Sequence, residues 1–462
     1  MEKEMITTTK KEYKFEPVGL SSDIGVYIET YGCQMNVADT EVVLSLLQKE
    51  GYRQVQKMED AALILINTCS IRENAEQRVR GRLNVFRQIK KKKGDLLIGV
   101  IGCMAERLKE QLLEEEKMVD LVVGPDAYRD LPALVKEAGT GQKAVNVLLS
   151  REETYADISP VRLDNNKVSA FISIMRGCNN MCSFCVVPYT RGRERSRDPQ
   201  SILREVREII DMGYKEITLL GQNVDSYLWK NQDDTTVDFA DLLDLVAGEN
   251  ENMRVRFSTS HPKDMTDKVL HVMAGHENIC KCIHLPAQSG STKVLKDMKR
   301  GYTREWYIDR INAIREIIPE CAISTDIISG FCGESEEDHR ETLSLMRWAG
   351  FDFAYMFNYS ERPNTYAQKK LTDDVPMETK SRRLTEIINL QNKLSDESHR
   401  NDIGKVYEVL IEGTSKKSNE EFFGRTSQNK VVVFPRMEFN IGDYVNVEIT
   451  DCTSATLRGK TI

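Results

Sequence analysis

Three cysteines stand close together near the middle of the chain, with the spacing C-x3-C-x2-C. They are Cys178, Cys182 and Cys185, in the stretch RGCNNMCSFC that directly follows a predicted strand. Three thiolates on one loop can hold three irons of a 4Fe–4S cluster and leave the fourth iron open. A zinc site is the alternative, although zinc normally recruits a fourth ligand and favours paired C-x2-C knuckles. The spacing therefore predicts an iron–sulfur cluster with one exchangeable iron.

Three further cysteines, Cys33, Cys69 and Cys103, each lie one or two residues beyond a short apolar strand. These strands are predicted at Val26–Tyr31, Ala62–Asn67 and Leu96–Ile101. The carboxyl ends of parallel strands meet at one edge of a sheet, where such sheets bind their ligands. One cysteine there would more often be a small buried hydrophobic residue, but three in equivalent positions favour a second cluster.

Strands and helices alternate in the two regions that must position these cysteines. Helical spacing at Thr40–Glu50 and Arg72–Lys93 separates the first three strands and predicts a parallel α/β domain over residues 23–147. The polar residues 1–22 before it are expected to form a flexible tail.

The second alternating region covers residues 164–396. Strands are predicted at Val168–Ser173, Glu216–Gly221, Arg254–Thr259, Cys282–Pro286, Ala322–Ile328 and Phe353–Tyr359. Helices are predicted between and after them at Ser201–Met212, Asp238–Ala247, Asp267–Met273, Thr303–Ile317 and Glu378–Arg400. Six such units indicate a partial (β/α) barrel of the TIM type, in which reactive groups collect at the carboxyl ends of the strands.

The last segment, residues 399–462, changes character. Short β-rich runs are predicted at Lys405–Glu412, Glu421–Thr426, Lys430–Phe434, Tyr444–Thr450 and Ala455–Lys460. Glycine and proline between them favour a small antiparallel β-barrel of a kind that binds oligonucleotides. Phe422, Phe423 and Phe434 could stack on bases or fill the barrel interior. Because the cluster loops and the barrel strands all precede residue 401, we expect the central barrel to be complete without this segment.

Composition sets outer limits on the function. The 462 residues are 40% hydrophobic and 29% charged, with a net charge of −8 and a pI near 5.6. No apolar run approaches the roughly 20 residues that span a bilayer, and no signal peptide is evident, so a cytoplasmic protein is expected. In a reducing compartment the 11 cysteines indicate metal or catalysis rather than disulfides. The acidic balance argues only weakly against nucleic acid, because an RNA site needs only a local basic surface.

The segment around Cys178, Cys182 and Cys185 resembles the signature of the radical S-adenosylmethionine (radical SAM) superfamily. In that signature an aromatic residue precedes the third cysteine, as Phe184 does here. The resemblance implies that the open iron binds the amino and carboxylate groups of SAM. Reduction of the cluster would then cleave SAM to methionine and a 5′-deoxyadenosyl radical.

From about Asp23 onward the chain is similar to the methylthiotransferase family of radical SAM enzymes, which has these three parts in the same order and calls the last one TRAM. The stretches ETYGCQMN, NTCSIREN, CVVPYTRGRERSR and HLPAQSGS look like the branch that acts on tRNA with an isopentenylated adenosine beside the anticodon. The ribosomal-protein branch usually has a lysine in the tetrapeptide that begins at Cys33. Two departures are Cys332, where proline is expected, and Asn364, where glycine is expected.

The resemblance also implies roles for the six cysteines. Cys178, Cys182 and Cys185 would ligate the SAM-binding 4Fe–4S cluster. Cys33, Cys69 and Cys103 would ligate an auxiliary 4Fe–4S cluster that carries or donates the sulfur. One SAM molecule would methylate that sulfur, and a second would supply the radical that removes hydrogen from carbon 2 of the adenine. Beyond the cluster ligands no catalytic side chain is expected, because the cofactors perform the hard step while the protein supplies position and shielding.

Side chains near the predicted carboxyl ends of the barrel strands are candidates for contacts with SAM. They are Gln222, Ser258, Gln288 and Asp326, together with Phe184 on the cluster loop. Each could equally be a loop residue that only hydrogen-bonds its neighbours. His261 and His284 lie near strand ends too, and we expect both to be structural.

Four arginines, Arg191, Arg193, Arg195 and Arg197, follow the cluster loop at alternate positions. In an extended chain they would share one face that could bind RNA phosphates, and Arg362 is placed with them. The alternative is a solvated charged loop.

The expected partners are the anticodon stem-loop of a tRNA with isopentenylated adenosine and an electron donor such as flavodoxin or ferredoxin. No membrane association is expected, and the chain is expected to be a monomer. Two rival substrates are a threonylcarbamoyl-modified adenosine in tRNA and an aspartate of a ribosomal protein. A rival from another class is a non-catalytic iron–sulfur carrier, which would not need a SAM-cleaving loop backed by a barrel.

Overall fold

The computed structural model describes residues 24–69, 73–164 and 166–462, without the side chains of 73–75. The predicted tail at 1–22 and Arg72, the first residue of the second predicted helix, lie outside the described residues. The chain divides into two compact units. The first takes in the described residues up to Ser150 and a short segment that begins at Asp157, and the second comprises Arg151–Ala156 and Asn166–Ile462.

The first unit is built on a six-stranded parallel sheet with the strand order β2-β1-β3-β4-β5-β6. Its strands are β1 (Ile24–Tyr31), β2 (Tyr52–Gln54), β3 (Leu63–Thr68), β4 (Leu97–Gly102), β5 (Leu121–Val123) and β6 (Ala144–Asn146). Its helices are α1 (Gln34–Lys49), α2 (Glu73–Lys92), α3 (Cys103–Leu108), α4 (Glu110–Glu115) and α5 (Leu131–Gly139). The predicted parallel α/β domain is confirmed. The sequence missed β2, β5 and β6, because three residues are too few to show a periodic pattern.

Helix α1 begins six residues before the predicted start at Thr40. Its first turns carry buried polar side chains, among them Asn36 and Thr40, which are both 0% exposed. Apolar spacing cannot reveal a helix turn that packs through polar groups, so the sequence placed the start too late.

The second unit begins with six parallel strands in two sets of three, ordered β13-β10-β7 and β14-β15-β16. A single parallel bridge between Val255 and Ile279 joins the two sets. The strands of this region are β7 (Ser169–Ser173), β8 (Met175–Arg176), β9 (Arg195–Ser196), β10 (Glu216–Leu220), β11 (Leu228–Lys230), β12 (Thr236–Asp238), β13 (Arg254–Ser258), β14 (Cys282–His284), β15 (Ala322–Ser329) and β16 (Phe353–Asn358). The predicted partial barrel is confirmed.

Helices cover one face of these strands. They are α6 (Val187–Arg191), α7 (Pro199–Asp211), α8 (Phe239–Gly248), α9 (Asp267–Gly275), α10 (Thr292–Asp297), α11 (Arg304–Ile317), α12 (Glu336–Ala349), α13 (Tyr366–Lys370) and α14 (Met377–Arg400). Alternate strand residues such as Ile217 and Ile323 join helix side chains in one buried apolar core. Side-chain caps fix several helix starts: Asp198 accepts backbone N–H bonds at the start of α7, and Ser335 forms a capping box at α12. None of the described helices is long and apolar enough to cross a membrane.

The chain ends in a closed five-stranded barrel with the order β17-β18-β19-β21-β20. Its strands are β17 (Val406–Thr414), β18 (Glu421–Arg425), β19 (Val431–Pro435), β20 (Tyr444–Cys452) and β21 (Leu457–Thr461). The β19–β21 pair is parallel, so the expectation of a wholly antiparallel barrel is wrong in this one pairing. Five strands cannot alternate direction around a closed ring, because five is odd. Phe422 and Phe434 are 1% exposed and fill the interior.

The loop between β18 and β19 packs against the amino-terminal ends of the central strands. Arg254, the first residue of β13, donates to the carbonyl of Arg425 at 2.8 Å and pairs with Glu408 at 3.0 Å. Arg256 donates to the carbonyls of Thr426 at 2.8 Å and Ser427 at 3.2 Å. All strands and helices of the central barrel precede residue 401, as the sequence predicts. Two arginines of β13 nevertheless take acceptors from the last segment, so the barrel also packs against that segment.

Candidate functional site

The three strand-end cysteines of the first unit lie at one edge of its sheet. Thr68 at the end of β3 pairs with Tyr31 of β1 and with Gly102 of β4, so the three strands end level with one another. Cys69 and Cys103 are the next residues of their strands, at 4% and 5% exposed, and the exposed Cys33 follows Gly32 as the N-cap of α1. The strand register thus brings the three cysteines to one edge, as the sequence predicts.

A buried polar network ties the helix that follows Cys33 to the strand that precedes Cys69. The Asn36 side chain donates to Asn67 Oδ1 at 3.1 Å, and Asn67 Nδ2 donates to the Asn36 carbonyl at 2.8 Å and to Thr40 Oγ1 at 2.9 Å. The Cys33 thiol donates to Asn36 Oδ1 at 3.2 Å. Because every member is hydrogen-bonded, this network fixes the relative position of Cys33 and Cys69.

Gly32 is the place where the chain passes closest to Cys69. Its φ of +135° lies in a region that side chains rarely adopt, and a Cβ there would lie 2.7 Å from Cβ of Cys69 and 2.9 Å from Asn36 Oδ1. Only glycine fits, since it has no Cβ. The glycine that precedes Cys33 is therefore what allows these two backbone segments to approach so closely.

Hydrogen bonds within the central cysteine loop, and from the loop to carbonyls at the end of α10, hold its conformation. Backbone N–H groups of Asn180 and Val187 donate to the sulfurs of Cys178 and Cys185 at 3.5 and 3.4 Å. Ser183, next to Cys182, donates through its N–H to the carbonyl of Met298 at 2.9 Å and through its hydroxyl to that of Asp297 at 2.8 Å. Such N–H···S contacts suit sulfurs that carry negative charge.

Arg300, in the same turn as Met298, also contacts this loop, and sequence reasoning missed it. Its guanidinium donates to Cys182 Sγ at 3.3 Å, to the Pro286 carbonyl at 2.9 Å and to the Tyr302 hydroxyl at 3.1 Å. Arg300 is 5% exposed. The stretch MKRGY was the available signal, because an arginine among apolar and turn residues is unusual unless it has a specific partner.

The donor set fits an iron–sulfur cluster on this loop. Burial raises the pKa of the Cys178 thiol to about 11 and that of Cys185 to about 12, while the charge of Arg300 acts in the opposite direction. Thiols must lose their protons to bind a metal, so cluster assembly here would release protons. Among the described residues no three cysteine, histidine or carboxylate side chains already surround a single metal position. The fit therefore rests on three thiols, their N–H donors and a buried cation beside them.

A second polar cluster lies beside the cysteine loop. Asp264 accepts from the side chains of Asn223 at 2.8 Å and Asn180 at 3.4 Å. Burial raises the pKa of Asp225 to about 8, and burial together with the charge of Arg300 lowers the pKa of His261 to about 2. At neutral pH His261 is therefore uncharged. His261 is 5% exposed, but neither of its buried ring nitrogens has a hydrogen-bond partner among the described residues, so its structural role stays a prediction.

Three of the predicted SAM-contact residues, Gln222, Ser258 and Gln288, lie at or a few residues beyond the carboxyl ends of barrel strands. Gln222 accepts a hydrogen bond from the N–H of Gly177, so it supports the cysteine loop itself. Ser258 is the last residue of β13. Gln288 has a left-handed backbone at φ +70° and is bonded through its backbone to Asp326 and Ile328 on β15.

Asp326 lies inside β15, with its carboxylate 3.5 Å from Nε2 of His284. Phe184 makes an edge contact with Phe331 at 6.4 Å and packs beside the small apolar cluster that contains it. The structure thus gives the positions of the five side chains, and their contact with SAM stays a prediction.

The four arginines after the cysteine loop do not share one exposed face. Arg191, Arg195 and Arg197 are 4%, 7% and 5% exposed, and Arg193 alone of the four is exposed. Arg197 pairs with Glu205 and donates to Ser201 Oγ at 2.9 Å. The structure thus gives Arg197 an internal role. The expectation that the four arginines share one exposed face is wrong, because the chain is helical up to Arg191 and three of the four side chains are buried. Contact with RNA phosphates stays a prediction.

Arg362, the fifth predicted RNA contact, and the two sequence departures lie outside this segment. Arg362 is half-buried, and its carbonyl accepts from Thr365 at the start of α13. Asn364 adopts φ +70°, which explains why glycine is expected there and why asparagine is tolerated. Cys332 is 6% exposed among apolar residues that include Phe331.

Comparison with protein families assigns three consecutive parts of the chain. Residues 25–124 match an uncharacterized protein family, UPF0004, residues 172–346 match the radical SAM superfamily, and residues 400–462 match the TRAM domain. Each of the two cysteine trios falls within a separate match. The three matches follow the order that the sequence predicts.

Curated relatives match over nearly the whole chain. A protein of Amoebophilus asiaticus named tRNA-2-methylthio-N(6)-dimethylallyladenosine synthase is 59% identical over 446 residues, covering 94% of this chain and 92% of its own. Proteins of the same name from Parabacteroides distasonis and Bacteroides fragilis are 57% and 58% identical, with coverage of 96% and 95% on both sides.

Among solved structures, the radical SAM methyltransferase TsrM from Kitasatospora setae, with cobalamin and a 4Fe–4S cluster bound, has a TM-score of 0.55. It is 12% identical and covers 84% of this chain and 81% of its own, so the likeness concerns the fold alone.

Proposed function

Since the chain belongs to the family of the tRNA-2-methylthio-N(6)-dimethylallyladenosine synthases, we propose that it converts N(6)-isopentenyladenosine beside the tRNA anticodon into the 2-methylthio derivative. It is a radical SAM enzyme that transfers a methylthio group to tRNA. The observation that carries the proposal is the presence of two cysteine trios, one at the strand ends of each unit.

Cys178, Cys182 and Cys185 would hold a 4Fe–4S cluster that, when bound, supplies the electron and the open iron for SAM cleavage. The chain's own part is to hold that loop in one conformation. Gln222 accepts from Gly177 on one side of the loop, and Ser183 donates to the turn after α10 on the other. The sulfurs of Cys178 and Cys185, which accept backbone N–H bonds, are therefore kept in position before a cluster binds.

Cys33, Cys69 and Cys103 would hold a second 4Fe–4S cluster, from which the sulfur of the methylthio group comes. Support comes from the level strand ends, the Asn36–Asn67 network and the glycine at position 32. A structural role for three cysteines would not require glycine at a close backbone approach. The residue types are those that hold iron–sulfur clusters, and no fourth thiol is needed if one iron exchanges.

The chain's residues also supply the site for adenosine and SAM. We propose that Phe184, Ser258, Gln288 and Asp326 contact SAM at the carboxyl ends of the strands, where barrels of this type bind their substrates. Enclosure of the radical matters for this chemistry, because a primary carbon radical takes hydrogen from any weak C–H or S–H bond that it can reach.

For the RNA partner, we propose that the anticodon stem-loop contacts Arg193 near the cysteine loop, Arg362, and exposed residues of the TRAM barrel. That barrel offers basic side chains at Lys405, Lys416, Lys417 and Arg436. Phe422 and Phe434 are excluded from base stacking by their burial. A low-potential flavodoxin or ferredoxin as reductant, a cytoplasmic location and a monomeric state belong to the same proposal.

The experiment replaces Cys33, Cys69 and Cys103 together by alanine in the full chain. The variant should bind about four irons instead of about eight, because it keeps only one of two cluster sites. It should still convert SAM to 5′-deoxyadenosine, since the second trio lies in the other unit, but give no methylthio nucleoside from isopentenylated tRNA. A methylthio product at wild-type yield would contradict the role of these cysteines. An iron–sulfur carrier without catalytic activity would form no 5′-deoxyadenosine even as wild-type protein.

A further inference from the structure

Arg300 is a buried cation whose contacts include no carboxylate. It is 5% exposed, and its guanidinium donates to the sulfur of Cys182, a carbonyl and a phenol oxygen. No carboxylate is paired with it anywhere in the part of the chain that the structure describes. Burying an arginine without a counter-charge is costly, so a negative partner is expected within reach.

The backbone around Arg300 is arranged to present the side chain to the cysteine loop. Lys299, just before it, has a left-handed φ of +57°, and the N–H of Arg300 is bonded to the carbonyl of Leu295 at 2.9 Å. A left-handed backbone is unfavourable for lysine and persists only where its surroundings enforce it. Tyr302 completes the arrangement, because its hydroxyl donates to the carbonyl of Ala287 at 3.0 Å.

The missing negative partner is supplied by the thiolates of the cysteine loop once a cluster is bound. Three thiolates give an oxidised 4Fe–4S cluster a net negative charge, and one-electron reduction makes that charge more negative. The neighbouring His261 is uncharged at neutral pH, because its pKa is about 2. Arg300 is therefore the buried positive charge on this side of the loop. A donor to a cluster sulfur and a nearby positive charge both stabilise the reduced state.

We infer that Arg300 is a positioning residue that raises the reduction potential of the SAM-binding cluster through its contact with the sulfur of Cys182. The inference rests on the proposed function, since it requires a cluster on Cys178, Cys182 and Cys185. The step is the transfer of one electron from an external low-potential donor to the oxidised cluster, with no bond formed or broken. Without Arg300 the cluster accepts that electron only at a more negative potential.

The test is a redox titration with dithionite, followed by electron paramagnetic resonance, on the reconstituted full chain with both clusters. The relevant signal is the one whose spectrum changes when SAM is added. The midpoint potential of that signal should shift to a more negative value in Arg300→Gln, which removes the charge. In Arg300→Lys the shift should be smaller, because lysine keeps the charge but cannot reach both the sulfur and the Pro286 carbonyl.

Arg304 is the matched control. Its guanidinium also caps carbonyls, those of Gly290 at 2.9 Å and Glu341 at 2.6 Å, but has no sulfur partner. Arg304→Gln should therefore leave the midpoint potential of the SAM-responsive signal at the wild-type value. If Arg300→Gln and Arg304→Gln shift the midpoint potential equally, the effect comes from the lost bonds to backbone carbonyls, and the inference is overturned.

The other outcomes are separable. An unchanged or more positive midpoint potential in Arg300→Gln overturns the inference and leaves the proposed function standing. If Arg300→Gln does not retain iron, Arg300→Lys decides: a midpoint at or above wild type overturns the inference. Absence of any SAM-responsive signal in the wild-type protein overturns the proposed function and the inference together.

Discussion

Replacing Gly32 by alanine should disable the site at Cys33, Cys69 and Cys103 without touching the central loop. The new methyl group would lie 2.7 Å from Cβ of Cys69 and 2.9 Å from Asn36 Oδ1. Neither neighbour can move cheaply, because Cys69 follows a fully buried strand and Asn36 is bonded to Asn67. The strain must therefore appear as displacement of the cysteines or as lost stability.

The free-energy cost has two parts. An alanine forced to the φ of +135° costs about 1–3 kcal/mol, and overpacking of the contact with Cys69 adds about 1–3 kcal/mol. A loss of about 2–6 kcal/mol is a large fraction of the 5–15 kcal/mol that stabilises a typical domain. Gly81, inside α2, provides the control, since a Cβ there meets no atom within 4 Å. Gly81→Ala should stabilise the helix by about 0.5–1 kcal/mol.

Urea unfolding of the metal-free proteins, followed by circular dichroism, measures the free-energy changes. Iron analysis after reconstitution measures the two cluster sites: Gly32→Ala should bind about half of the wild-type iron and Gly81→Ala all of it. Gly32→Ala should still form 5′-deoxyadenosine. Full iron content together with wild-type stability in Gly32→Ala would refute the reasoning from close approach.

Two further predictions concern the second unit. Removal of residues 401–462 should lower the thermal unfolding midpoint of the central barrel, the rate of SAM cleavage and the affinity for tRNA, because Arg254 loses the Arg425 carbonyl and Glu408 while Arg256 keeps only Glu216. An unchanged midpoint by circular dichroism would show that these contacts are dispensable. Burial raises the pKa of Asp225 from 3.8 to about 8, so the native state keeps a proton that the unfolded state releases, and the free energy of unfolding should fall as pH rises between these values. Asp225→Asn should flatten that fall, by up to about 1.4 kcal/mol per pH unit in urea unfolding; an identical slope would mean that Asp225 is ionised in the native protein.

The sequence predicts the two cysteine trios well, because both depend on local rules. The central spacing lies within eight residues, and the strand-end cysteines follow from the shared edge of a parallel sheet. The order of the three parts likewise follows from periodicity and turn residues. The sequence could also have predicted one parallel pair, such as that of β19 with β21, because a closed barrel with an odd number of strands cannot be antiparallel throughout.

The remaining features depend on contacts between distant segments. Arg300 meets Cys182 across 118 positions of the chain, and no local spacing encodes that approach. The direction of Arg197 depends on its partner Glu205 in α7, so alternate positions in the sequence did not become one face. The carbonyls that Arg256 uses lie 170 and 171 residues away, in a segment that the sequence alone presents as a separate barrel.

The central claim is tested most directly by mass spectrometry of nucleosides after reaction of the reconstituted chain, SAM and a reductant with isopentenylated tRNA. We predict that N(6)-isopentenyladenosine is converted to its 2-methylthio derivative, and that a variant lacking Cys178, Cys182 and Cys185 forms none. Unchanged isopentenyladenosine, with the methylthio group found instead on threonylcarbamoyl-adenosine or on a ribosomal protein, would contradict it.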